Sequence, residues 1–395
     1  MNENQKDFLG KKRNIINIPL NYNLSNNINL NINNNTNHNN SNIIKNTKEP
    51  IILTAHSHWI NQILILKHQP NHNLISSSAD GQIILYNEYP KYIPVLKMQL
   101  FGESGVLNLT ELKDGTIIAC SFAAIKQILI KHDNIKNTYS YEVVNYSIIC
   151  STYISKCLEL FNDELLCLTQ QNIIIFLEKN KNNPISEYKD RNYITKKILE
   201  LLKYELCINI LQLTEELFIS CNITNPKYDL TDENINKPEI NCIKFYNKNF
   251  NCISKISKIY SSKSQNNIVK INTKYVLVGV EICSNEINWN NNKGVALINY
   301  QNFELITFYE IDNQVSSILF WENKIYIGDD KGYVTQFNFD ENEIILKQTK
   351  RIHQYNISAL EYDIIYDKEK NKNIFILLTG SNDQTIKISY CFNDS

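Results

Sequence analysis

From Glu49 onward, short apolar runs of four to seven residues alternate with polar breaks, and the runs are made of Ile, Leu, Val, Tyr and Phe. Ile83-Ile84-Leu85-Tyr86, Ile173-Ile174-Ile175-Phe176 and Tyr275-Val276-Leu277-Val278 are representative. β-Branched and aromatic residues at this run length favour strands over helices. The runs are continuous instead of alternating, so both faces of each strand are expected to be covered. Tyr193 to Leu206 also places Ile194, Ile198, Leu201 and Leu202 at helical spacing, but with strand-like runs on either side it reads as two strands. The first 48 residues have a different texture. Between Asn21 and Thr47, 14 of 27 positions are Asn, with Ile and Leu scattered and without period. Such a segment buries too little apolar surface to offset its ordering entropy, so residues 1–48 are expected to form a disordered tail and 49–395 an all-β domain.

The apolar runs recur as a larger unit. His56-x-x-x-Ile60-x-x-Ile63 leads to Leu74-Ile75-Ser76-Ser77-Ser78-Ala79-Asp80-Gly81-Gln82-Ile83-Ile84-Leu85-Tyr86. His353-x-x-x-Ile357-x-x-Leu360 leads to Leu377-Leu378-Thr379-Gly380-Ser381-Asn382-Asp383-Gln384-Thr385-Ile386-Lys387-Ile388. Fainter copies run through Val106 to Ile130, Cys157 to Phe176, Ile208 to Tyr246, Ile268 to Ile298 and Val315 to Phe337. Seven units thus follow one another at roughly 43 to 59 residues.

This pattern resembles the WD-repeat (WD40) family over about Glu49 to Ser395. The resemblance implies a seven-bladed β-propeller of four-stranded blades. It also implies a buried hydrogen-bonded brace within a blade. The matching positions are His56, Ser76, Asp80 and Tyr86 in the first unit and His353, Thr379 and Asp383 in the last, where Ser389 replaces the aromatic end. The Trp-Asp dipeptide of the family is absent; Tyr86-Asn87, Tyr246-Asn247 and Phe337-Asn338 stand in its place. Five units lack the His–Asp pair, so counts of six or eight blades stay open. Ile51-Ile52-Leu53, ahead of the first His, would supply the outer strand of the last blade and remove the open edge.

Charge and chemistry then narrow the function. The formal net charge is −1 and only three of the 40 basic residues are arginines, Arg13, Arg191 and Arg351. Neither a broad grip on nucleic acid nor a forked recognition of phosphate is well supplied. The ten cysteines form no Cys-x-x-Cys pair and mostly sit in apolar runs, as buried reduced thiols do. The polar start Met1-Asn2-Glu3-Asn4 lacks a signal-peptide core, and no run of about 18 apolar residues offers a membrane span. The expected compartment is the cytoplasm, with the nucleus as alternative through Lys11-Lys12-Arg13. No nucleophile elbow, phosphate loop or zinc-protease motif occurs. His56, His58, His68 and His72 have metal-like spacings, but His56 belongs to the brace and His68 and His72 fall at the far end of the strands, so no metal or cofactor is expected.

The expected function is therefore that of a non-catalytic protein–protein interaction scaffold, a monomeric subunit of a larger complex. The resemblance places its rim just before each innermost strand and at the Asp-type turn, at His58, Trp59, Gln314, Asp330, Tyr355, Asn356 and Asn382. The polar insertion Asn222 to Glu239 reads as a loop. The alternatives are a substrate receptor of a ubiquitin ligase, a propeller enzyme or a nucleic-acid-binding protein. The Asp and Arg that follow the dipeptide in ubiquitin-ligase receptors are missing here.

Overall fold

The computed structural model describes residues 50–390 except 69–72, 88–90, 172, 180–192, 202–204, 225–241, 258, 263, 265, 284–290, 342 and 368–370. The Asn-rich tail and most of the 222–239 insertion lie outside the described residues. Every named element is a β-strand, and Tyr193 to Leu206 divides into Tyr193–Glu200 and the start of Glu205–Thr214. Among the described residues no helix is long and apolar enough to cross a membrane.

The strands form antiparallel meanders. The first sheet runs Ile60–Ile65, Leu74–Ser78, Gln82–Tyr86, Pro94–Gln99 in spatial order. Two others repeat this plan, Glu205–Thr214 through Cys252–Ser257 and Val315–Trp321 through Glu343–Arg351. A seven-stranded sheet extends from Asn108–Glu111 to Tyr193–Glu200. It consists of two meanders fused through the 22-residue strand Thr138–Glu159, which pairs with Phe122–Asp133 along its first half and Leu165–Thr169 along its second. In the five-stranded sheet, Ile259–Ser261 and Ile268–Lys270 share one edge of Tyr275–Cys283. The last sheet holds Ile357–Asp367, Lys372–Ser381 and Ile386–Ser389, and its fourth strand is Ile51–Leu53, with Ile51 opposite Ile388 and Leu53 opposite Ile386.

Burial is greatest in the middle strands of the meanders and falls toward the outer edge. Leu74–Ser78 and Leu165–Thr169 are buried at every residue, whereas Tyr193–Glu200 and Glu343–Arg351 are mostly exposed. The reason is packing on both faces. Ile75 and Ile83 meet Val106 and Ile117 of the next meander. Cys120 meets Cys157 and Ile175, Leu166 meets Ile210 and Phe218, and Ile219 meets Val276 and Ala296. Leu277 then meets Ile325, and Tyr326 meets Ile357. Finally Leu378 and Ile388 of the last sheet pack on Ile63 and Ile84 of the first. Each fully buried side chain of this size contributes about 1.5–3 kcal/mol.

The inner strands are also stitched to the neighbouring meander by hydrogen bonds in which side chains donate or accept. Asn61 Nδ2 donates to Val106 O at 2.9 Å, Cys157 N to Asn108 Oδ1 at 3.1 Å and Lys156 Nζ to Asn209 Oδ1 at 2.9 Å. Asn209 Nδ2 continues to Asn267 Oδ1, Ser264 Oγ to Ser316 O and Ser316 Oγ to Ile357 O. Ser358 Oγ returns the series to Ile60 O of the first sheet. The approach is close. A Cβ at Gly328 would stand 2.8 Å from Ile357 Cγ2, and one at Gly380 2.8 Å from Ile60 Cγ2, so only glycine fits where the neighbouring inner strand presses in.

Deleting residues 50–54 removes the outer strand of the last sheet together with the packing of Ile51 and Leu53 on its core. The expected outcome is a large fall in melting temperature by circular dichroism, and little change on deleting residues 1–45, which leaves that strand in place. Equal melting temperatures would contradict the role assigned to Ile51–Leu53.

Candidate functional site

The turn that ends the second strand is held to the segment entering the first strand, and in two sheets this is done bond for bond alike. His56 Nδ1 donates to Asp80 Oδ2 at 3.0 Å while Nε2 accepts from Ser76 Oγ at 2.8 Å. His353 Nδ1 donates to Asp383 Oδ2 at 2.8 Å and Nε2 accepts from Thr379 Oγ1 at 2.7 Å. Each carboxylate also takes backbone N–H groups, from Ser57 and Gln82 onto Asp80 and from Gln354 and Thr385 onto Asp383. Burial alone would raise the Asp80 pKa, but the His56 imidazole and the two N–H groups outweigh it and hold it at about 2. Asp383 is held low in the same way. Burial lowers the His353 pKa against the opposing pull of Asp383, which favours the neutral ring with its proton on Nδ1.

Tyr86 corrects the expectation drawn for it. The side chain is fully buried in the core, and its hydroxyl has no hydrogen-bond partner of good geometry among the described residues. Burial pushes its pKa up to about 12, with the nearby Ser76 hydroxyl opposing the rise and the Asp80 charge adding to it. Tyr86 thus packs against the brace without completing it. Ser389 Oγ is likewise buried without a partner. In the sheet that begins at Val315 no histidine is present, and Asp329 instead accepts from Asn313 Nδ2 at 2.8 Å and from the N–H groups of Lys331 and Tyr333.

One backbone hydrogen bond recurs above these braces. Ala79 N donates to Trp59 O, Asp330 N to Gln314 O and Asn382 N to Asn356 O, at 2.9, 3.0 and 3.0 Å. These bonds fix the rim residues at one end of the strands. Trp59, Gln314, Asp330, Asn356 and Asn382 line a common depression of about 410 Å³. His58 and Tyr355 lie outside its wall, each one residue from a lining residue. Trp59 is 47% exposed and Tyr355 60%. The His58 ring sits 5.0 Å from the Trp59 ring and its Nδ1 accepts the Trp59 N–H. His56 is engaged at both nitrogens, His68 lies beyond the other end of Ile60–Ile65, and His72 lies outside the described residues. Among the described residues no three His, Cys, Asp or Glu side chains are arranged to hold a metal.

Further wall residues come from the inner strands and were not identified from the sequence: Asn61, Ser316, Ser358, and Ser264 and Asn266 from a bulge. Ser261 pairs with Val280 and Ile268 with Val278, so Gly279 alone stands on the facing strand between these two pairs and bonds both Ser262 and Asn267. Asn267 clips that bulge, donating from Nδ2 to Ser262 O at 2.9 Å while its carbonyl accepts Gly279 N at 2.8 Å. Asn266 Nδ2 then reaches Ser358 O at 2.9 Å. Nothing in the spacing of the sequence announced the bulge. A second hollow, of about 670 Å³, opens at the opposite strand ends beside Phe161, Phe176, Phe218 and Phe250. It too is invisible in the sequence, since its walls come from three separated turns.

The chain matches no protein-family model and no curated protein. It is similar in structure to Sqt1 of Saccharomyces cerevisiae, with a TM-score of 0.57 at 9% identity over 86% of this chain and 97% of that one. A chain of the mitotic checkpoint complex gives 0.58 at 8% identity, covering 94% of this chain and 100% of its own. The computationally designed Ika8 protein gives 0.50 at 11%, covering 85% and 97%. At such identities the likeness establishes the fold.

The brace makes stability depend on acid in a stated direction. The lowered pKa of His353 means that the unfolded chain takes up a proton near pH 6.5 that the folded ring resists, so stability falls as pH drops through that range. Asp80 and Asp383 have depressed pKa values, so their contribution is full above about pH 4 and is lost as pH falls toward 2. Urea midpoints are expected to decline from pH 7.5 to 5.5 and more steeply below 4. His353→Gln should destabilise by about 2–3 kcal/mol at pH 7.5, by stranding Asp383 and Thr379, and should flatten the first decline.

Proposed function

We propose that this chain, whose fold is that of a WD40-like β-propeller, is a non-catalytic interaction scaffold that assembles proteins on the faces of the propeller. Seven blades are the count we favour. Reading the fused sheet as two blades on the shared strand Thr138–Glu159 gives that number, and the seven apolar layers between successive meanders support it. The pairing of Ile51–Leu53 with Ile386–Ser389 supports closure of the ring through its terminal strands.

The observation that carries the functional reading is the depression itself. Side chains from separate sheets line it, their backbones are fixed by repeated hydrogen bonds, and an exposed indole stands at its wall with an exposed tyrosine alongside. A surface held rigid before binding loses little entropy when a partner docks, and large aromatics dominate such contacts at roughly 2 kcal/mol or more each. The partners are proteins, the chain acts as one subunit among several, and the compartment is the cytoplasm.

Affinity purification followed by mass spectrometry, comparing the intact chain with a Trp59→Ala, Tyr355→Ala double variant, tests this. At least one captured protein is expected to fall about tenfold or more with the variant, while both forms melt alike. Equal recovery of every protein would show that this rim is not the binding surface. Loss of the captured material on ribonuclease treatment would show that nucleic acid, not protein, is held.

A further inference from the structure

Four cysteines gather in one apolar layer of the fused sheet. Cys120, Cys157 and Cys167 are buried in it, and partly buried Cys150 packs against them. Cys157 and Cys167 stand directly opposite each other on Thr138–Glu159 and Leu165–Thr169. Both thiols are free, and their sulfurs are 3.3 Å apart. Cys157 directs its backbone away from this ladder: its N–H donates to Asn108 Oδ1 at 3.1 Å and its C=O accepts from Thr110 Oγ1. The pair is thus of the non-hydrogen-bonded kind, whose Cα atoms stand about 4.5 Å apart, within the roughly 4.4–6.8 Å that a disulfide spans. Bringing the sulfurs to the bonded length of about 2.05 Å takes rotation of the two side chains, not movement of the strands. Cys120 and Cys167 both direct thiols at the Cys157 sulfur and hold its pKa below the ordinary thiol value against the effect of burial. Cys157 is therefore the better nucleophile of the three.

We propose that Cys157 and Cys167 are an oxidisable pair, which a hydroperoxide converts to a disulfide between neighbouring strands of the fused sheet. The Cys157 thiolate attacks one oxygen of hydrogen peroxide, the O–O bond breaks, and the departing hydroxide takes up the proton that Cys157 released. The product is a sulfenic acid on Cys157. The Cys167 sulfur then attacks the Cys157 sulfur, the S–O bond breaks, and the hydroxyl leaves as water with the Cys167 proton. One peroxide is reduced to two waters and two thiols are oxidised to one disulfide. Both thiols are closed to solvent, so the oxidant, a molecule little larger than water, enters as the sheet opens locally, and the reaction is slower than at exposed Cys252. The strand so linked carries ties to both neighbouring meanders, Cys157 N to Asn108 and Lys156 Nζ to Asn209. Oxidation therefore acts where three meanders stack. This site goes beyond the scaffold reading and does not rest on it.

The reduced full chain is titrated with hydrogen peroxide under native conditions, blocked with N-ethylmaleimide in denaturant, cleaved with trypsin and read by mass spectrometry. Cleavage after Lys156 and Lys179 leaves both thiols on one peptide, Cys157–Lys179. That peptide is expected to lose both alkylatable thiols together and to appear two hydrogens lighter, and dithiothreitol is expected to restore it. The same treatment in urea, where any cysteines can meet, is expected to scatter the linkage. Cys167→Ala is expected to stop the reaction at the Cys157 sulfenic acid, which dimedone captures. Survival of both thiols at peroxide levels that oxidise exposed Cys252, a bond from Cys157 to Cys120 or Cys150 instead, or a linked peptide that forms only in urea would each overturn the proposal. The measurement on the parent chain needs no substitution, so it decides the matter even where Cys167→Ala fails to fold.

Discussion

A four-stranded meander that is apolar on both faces cannot cover either face by itself, and the rest of the molecule follows from that constraint. Every middle strand here, from Leu74–Ser78 to Lys372–Ser381, requires a neighbouring sheet on each side. Stacking supplies two neighbours to each sheet within the series, but it would leave one face of the first and one face of the last bare. The apolar layer joining Leu378 and Ile388 to Ile63 and Ile84 covers both of those faces at once. Close stacking also determines which residues can stand at the crossing points. Gly328 and Gly380 sit where Ile357 and Ile60 press in, and any side chain there would have to displace the neighbouring strand.

The ionisable groups of the turns are admitted to this interior by being engaged, unlike the hydroxyls of Tyr86 and Ser389, which are buried without a partner of good geometry among the described residues. The two braces show how. Each buries an imidazole whose two nitrogens are both bonded and a carboxylate that also gathers backbone N–H groups. Asp329 reaches a similar end with Asn313 in place of histidine, accepting from an amide and two N–H groups. The shared requirement is a buried carboxylate that ties the turn to the segment entering the inner strand. A histidine is one way to meet it, which is why the sheet without one keeps the same Asp330 N to Gln314 O bond above.

How much of this was legible in the sequence depends on the range of the interaction. The strands and the His–Asp pairs were readable because a local run of Ile, Leu and Val, or a fixed offset such as His353 to Asp383, carries them. That Trp59, Gln314, Asp330, Asn356 and Asn382 meet at one depression was readable because each sits at a defined place in a repeat. The role of Tyr86 was read from family analogy, which supplied a donor, whereas the packing of the core leaves its hydroxyl near Ser76 without a hydrogen bond of good geometry. The bulge near Asn266 and the fused strand Thr138–Glu159 were not legible. Both are departures from the repeat, and a repeat search sees only what recurs. The hollow beside Phe161 and Phe250 depends on turns far apart in the chain, whose meeting only the stacked sheets determine.

Architecture and chemistry meet in the inner strands. The hydroxyl and amide hydrogens of Asn61, Ser264, Ser316 and Ser358 point at carbonyls of adjoining sheets, which stacking brings within reach. The direction of those bonds is therefore dictated by stacking and not by any ligand. Yet the same direction decides what the opening presents, since a serine that donates inward can only accept outward, whereas the Asn61 amide keeps a second N–H. Replacing such a serine by alanine would remove a tie between sheets and an acceptor at the wall together. A change in what this surface prefers to hold is more freely made at Asp330 and Trp59, whose side chains take no part in that series of ties.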